Sequence, residues 1–194
     1  MTTTAHPPRD ARRIPGESGT WVFLFGDMLV FGAFFVTFLV ERASAPELFD
    51  EARTTLHIGV GVANTLVLLT SSLCVVLALN AMRAAQRNIA TGAAGAAIAC
   101  GLVFIGLKIT EYVALAHAGH GPGANHFYLY YVILTGLHLF HVCLGLAALT
   151  FLLTQTRRDE LSATRTALVE GAACFWHLVD LLWIFLFALL YLVS

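Results

Sequence analysis

Apolar residues run along this chain in five long blocks, separated by short stretches where polar side chains, glycine and proline collect. A helix rises about 1.5 Å per residue, so crossing a hydrocarbon core roughly 30 Å thick takes about 20 mainly apolar residues. Segments at about 19–40, 57–80, 91–116, 127–154 and 167–193 meet that length. The bilayer core offers no water to an open backbone, so blocks of this length predict helices. The pattern thus predicts an all-α polytopic membrane protein. A polar tail over residues 1–18 precedes a domain of five transmembrane helices over 19–194. Pro46 falls in the first connection, and Gly119, Gly121, Pro122 and Gly123 in the third. The first block is long, carries Asp27 and lacks a small-residue cleavage site, so it reads as a retained helix and not a cleaved signal.

Composition sharpens this picture. The chain has 194 residues, of which 58% are hydrophobic and 12% charged, about half the charge of an average soluble domain. Its mean hydropathy is +0.79. A net charge of −1 with no basic stripe leaves no nucleic-acid footprint, so lipid and protein are the expected partners. Arginines set the expected orientation, because cytoplasmic segments collect positive charge. The tail holds Arg9, Arg12 and Arg13, the second connection Arg83 and Arg87, and the fourth Arg157, Arg158 and Arg165. The other side has only Arg42 and Arg53, in a stretch rich in acids, which predicts N-in and C-out.

Small residues crowd the second and third blocks, among them Gly59, Gly61, Ala63, Gly92, Gly95, Ala96, Ala97, Gly101 and Gly106. They predict close helix contacts. Tyr128, Tyr130 and Tyr131 open the fourth helix where an interfacial aromatic belt is expected. Cys74, Cys100, Cys143 and Cys174 are scattered one per block, without metal or redox spacing, and read as small buried hydrophobes.

The informative residues are the polar ones kept inside these blocks. Glu170, His177 and Asp180 fall within a face of about 80° on the last helix. Thr135, His138 and His141 form a second stripe on the fourth. His138 lies about 16 Å from the outer end of its helix and His177 about 15 Å from the inner end of its own. Similar depth places the stripes to face each other, and the plainer account has them hydrogen-bond between antiparallel neighbours. Metal or haem ligation is the sharper account, since imidazole is a common ligand, though a complete set of histidines at matching depth is missing. His117, His120 and His126 belong to a Gly-rich solvated loop.

Lys108 and Glu111 share a face of the third helix at a spacing that permits an ion pair. Lys108 is also near enough to the outer end to snorkel. Asp27, about 10 Å from the inner end of the first helix, has no basic residue within a helical turn. Three readings stay open for it: a carboxyl kept neutral by desolvation, a hydrogen bond to a neighbouring helix, or a place on a water-filled path.

With these residues in view, the chain resembles the cytochrome c oxidase subunit 3 family, subunit III of the haem-copper oxidases, from about Trp21 onward. The family's ending, a Glu followed by Trp-His-Phe-Val-Asp and an aromatic tail, is matched by Glu170, Trp176, His177, Leu178, Val179, Asp180 and Trp183. Its Thr-Gly-Phe-His-x-x-His-Val run is matched by Thr135, Gly136, Leu137, His138, His141 and Val142, and its Glu-Tyr pair by Glu111 and Tyr112. The long form of the family has seven helices, and this chain resembles the last five. The family's early buried Glu falls at Asp27, one methylene shorter. Lys108 stands where many members have Gln. These departures resemble a short branch that includes accessory proteins of nitric-oxide reductases.

The resemblance implies a non-catalytic component with no haem or copper of its own. It would pack against the metal-bearing catalytic subunit I of an oxidase, or of a reductase, in the plasma membrane of a bacterium. It also implies phospholipid binding, support of proton uptake by the partner, and protection against turnover-linked inactivation. Asp27 is then the proton-uptake candidate. Lys108, Glu111, Thr135, His138, His141, Glu170, His177 and Asp180 are expected to form a structural polar network. A self-contained membrane haem or metal protein, with His138, His141 and His177 as ligands, is the alternative from another class. A proton relay over Asp27, Lys108 and Glu111 is its variant.

Overall fold

The structure, a computed structural model, describes residues 18–158 and 162–193, and all regular structure in them is helical. Five helices are long and apolar enough to cross a membrane: α1 (Ser18–Ser44), α3 (Ile58–Arg83), α4 (Arg87–His117), α5 (His126–Gln155) and α6 (Ala163–Phe187). The α6 helix continues as a π-helical turn, Ala188–Leu192. The sequence did not announce α2 (Pro46–Arg53), a two-turn helix with Pro46 in its first turn, where a missing N–H costs no hydrogen bond. Phe49 anchors it by packing edge-on against Phe38 of α1 and Phe127 of α5.

Several spanning helices extend past their expected ends, α1 and α4 by up to four residues and α6 by four at its start. Asn125 caps α5 by accepting from the Tyr128 N–H at 3.1 Å, and Ser162 caps α6 through Arg165. Gly119, at φ 78°, ends α4 with the His120 N–H returned to the Leu115 carbonyl.

The four helices α3, α4, α5 and α6 close a ring in chain order, each against the next and α6 back against α3, while α1 lies outside on α5 and α6. The α6 helix is the most buried of the five and α1 the least. Along α4, Ala90, Ala94, Ala97 and Gly101 form a buried small-residue ridge, and Ser71 of α3 donates to the Ala97 carbonyl at 2.8 Å. Gly61 and Gly101 do lie at helix contacts, whereas a side chain added at Gly59, Gly92, Gly95 or Gly106 would meet nothing. The expected aromatic belt is corrected too. Tyr128 and Tyr131 are buried with their hydroxyls bonded inside the protein, because α5 turns that face into the ring. The cysteines are all free, and Cys143 differs from the other three in lying exposed.

Trp176 of α6 is fully buried in a notch made by two glycines of neighbouring helices. A Cβ at Gly145 would sit 2.6 Å from its ring, and one at Gly101 3.0 Å from it. A rigid indole cannot yield there. Gly145→Ala should therefore destabilise the folded chain by about 1–3 kcal/mol, read as a lowered unfolding midpoint in detergent. Gly136→Ala, in open space on the same helix, should leave the midpoint unchanged or raise it.

Candidate functional site

The polar residues of the membrane region gather in separate clusters, the tightest around Lys108. Its ammonium donates to Glu111 Oε2 at 2.6 Å, to the Tyr131 hydroxyl at 3.0 Å and to the Tyr191 hydroxyl at 3.2 Å. All three N–H bonds are thus used. Tyr191 donates in turn to Glu111 Oε1 at 2.7 Å. The rings of Tyr112, Tyr131, Trp183 and Tyr191 surround the ammonium at 5.0–5.7 Å to their centroids, each within range of the ring quadrupole. Lys108 is 1% exposed and does not snorkel. Beside it the Tyr112 hydroxyl bonds Thr135, whose own proton goes to the Tyr131 carbonyl, so that Tyr112 is the donor.

A second cluster joins the outlying α1 to the ring. His141 of α5 places Nε2 3.2 and 3.1 Å from the two oxygens of Asp27. Its Nδ1 lies 2.8 Å from the Leu137 carbonyl. A carbonyl only accepts, so Nδ1 carries a hydrogen and Nε2 is left facing the carboxyl. One proton then lies between them, as imidazolium with carboxylate or as imidazole with carboxylic acid. Of the readings open for Asp27, the hydrogen bond to a neighbouring helix is the one the structure displays.

The facing of the two polar stripes is corrected. His177 bonds Ser72 of α3 through Nδ1, because its face of α6 turns to α3 and not to α5. Asp180 is buried on the same helix. Glu170 sits at the membrane end of α6 and pairs with Arg83 at 3.3 Å, half in the open. His138 is fully buried between the rings of Phe104 and Trp183, and neither of its nitrogens bonds to protein among the described residues. The expected polar residues are thus spread over separate contacts between different helix pairs. The loop histidines also diverge: His120 stacks on Tyr128, His126 approaches Glu41, and His117 ends α4.

Sequence reasoning missed Tyr131, Tyr191, Trp183 and Ser72. A signal existed for two of them. Tyr131, Thr135 and His138 follow i, i+4, i+7, and Tyr191 follows Asp180 by eleven residues, about three turns, so each belonged to a stripe already under scrutiny.

The fold and these clusters define a class of protein: a polytopic helical membrane protein with the pairs Lys108–Glu111 and Asp27–His141 held inside the bundle. Among the described residues no three His, Cys, Asp or Glu side chains gather where they could hold a metal ion. Comparison with known proteins makes the class specific. The family model of cytochrome c oxidase subunit III matches residues 15–194. Cytochrome c oxidase subunit 3 of Alkalihalophilus pseudofirmus is 33% identical over 98% of this chain and 93% of its own length. The protein of the same name from Bacillus sp. strain PS3 is 30% identical over 100% and 94%. Quinol oxidase subunit 3 of Bacillus subtilis is 28% identical over 91% and 86%. The chain belongs to the cytochrome c oxidase subunit III family. The chain spans 86–94% of the length of these relatives.

Removing one partner of a buried ion pair strands the other. Lys108→Met should cost about 3–5 kcal/mol of stability, whereas the double variant Lys108→Met with Glu111→Leu should recover most of it. Unfolding midpoints of the four proteins of this cycle measure the difference.

Proposed function

We propose that this non-catalytic subunit III of a haem-copper oxidase buttresses the catalytic subunit and supports its proton uptake, with Asp27 as the group that serves uptake. The observation that carries the reading is the end-to-end match to subunit 3 proteins, family model and relatives alike. The chemistry of reducing dioxygen would then belong to haem and copper in the partner. The chain's part is to hold a rigid apolar wall and a small number of prepared protons.

Two features of the molecule support the division. First, α1 carries Trp21, Phe25, Met28, Leu29, Val36 and Val40 on exposed positions, an apolar face suited to lipid or to a partner helix. Second, Asp27 lies under that face with its side chain 14% exposed and His141 behind it. A carboxyl holding one shared proton beside a subunit contact can pass that proton on and be refilled from imidazole. In this reading the arginine-rich end of the bundle, with the start of α1, faces the cytoplasm of a bacterium, and phospholipid fills the uncovered grooves.

Two experiments test this. Mild-detergent purification through a tag on this chain should bring down a large haem- and copper-bearing subunit. Recovery without one would remove the reading. Within the complex, Asp27→Ala should slow proton uptake or hasten inactivation during turnover while metal content stays normal, and His141→Phe should do the same. Unchanged turnover and lifetime would reduce the pair to a packing contact.

A further inference from the structure

Glu111 has a second side. Its carboxylate is held from within by Lys108 and Tyr191, and the residue also lines a cavity of about 390 Å³ that opens at the α2 end of the bundle. Thr55, His57, Thr110 and His120 give that cavity polar walls, and Val60, Ala114 and Leu115 apolar ones. Its volume has room for water, to which Glu111, His57 and His120 offer polar partners.

We propose that this cavity is a hydrated vestibule through which Glu111 exchanges protons with the aqueous phase at the α2 end. The step balances simply. A proton delivered by water forms an O–H bond on Glu111, the ion pair becomes ammonium with carboxylic acid, and water returns a hydroxide equivalent to bulk.

An ordinary buried ion pair resists this, because protonating the acid strands the base. Lys108 escapes that penalty. Its ammonium keeps two hydroxyl acceptors, Tyr131 and Tyr191, and four aromatic faces after the carboxylate charge is gone. The groups facing Glu111 are thus Lys108 and Tyr112 on its own helix, Tyr131 from α5, Tyr191 from the end of α6, and His57 and His120 across the cavity. The centre is sealed toward the bundle and open toward water, which suits a site that loads and releases protons from one side. This inference stands apart from the role given to Asp27, which lies on another helix and in another cluster.

The test uses the full chain in its complex and native membrane, with Cys74, Cys100, Cys143 and Cys174 replaced by serine. Ala114→Cys, on the cavity wall, should react with a charged, membrane-impermeant thiol reagent added from the α2 side an order of magnitude faster than Val113→Cys on the lipid-facing surface. It should not react from the other side. In parallel, isotope-edited infrared spectra of glutamate should show a carboxylic-acid band that grows as that side is acidified and is lost in Glu111→Gln. Equal labelling of the two cysteines, or a band that survives Glu111→Gln, overturns the proposal. Should Glu111→Gln fail to assemble, the labelling contrast still decides it.

Discussion

One ammonium group constrains this bundle more than any other side chain. Lys108 is the chain's only lysine, and it sits at 1% exposure inside the bundle. By insertion scales such a charge costs about 2.5–3.5 kcal/mol at the centre of a membrane helix. It persists because three helices bring acceptors to it: Glu111 from α4, Tyr131 from α5 and Tyr191 from the end of α6. Those helices cannot slide or rotate against one another without breaking a bond to a buried charge. Membrane helices lack a hydrophobic drive toward each other, so a directional lock of this kind fixes register where packing alone leaves it soft.

The other polar clusters do related work at other seams. Ser72 with His177 ties α3 to α6, and Ser71 with the Ala97 carbonyl ties α3 to α4. Asp27 with His141 brings α1 onto the ring. Trp176, set in the glycine notch, adds a steric key between α4, α5 and α6. Arg53 completes the α2 end by donating to the Tyr191 carbonyl within the π-helical turn. The result is a rigid frame with its charges used internally, as a subunit that supports a neighbour's chemistry requires.

Much of this was legible in the sequence, and the reasons for the rest are physical. Five apolar blocks gave five spans because hydrocarbon thickness dictates length, and the i, i+3 spacing gave the Lys108–Glu111 pair because the helix itself brings those residues together. Contacts between helices were harder. Two polar stripes of equal depth suggested that α5 and α6 pair through them, yet rotation about each axis sends His177 to α3 and His141 to α1. Periodicity fixes which residues share a face but not which neighbour that face meets. The tyrosines were misplaced for a similar reason: an amphipathic ring near a helix end suits an interface equally well turned out to lipid or in to a buried cation. The short α2 escaped notice because eight residues carry too little periodicity to stand out from a connection.

The lone lysine makes the central claim open to direct measurement. With lysine labelled in ¹⁵N and glutamate in ¹³C, solid-state magnetic resonance of the chain in lipid gives a single side-chain nitrogen signal. The account requires a charged ammonium with a strong dipolar contact to one glutamate carboxyl carbon. A neutral amine, or an ammonium without that contact and in free exchange with water, would contradict it.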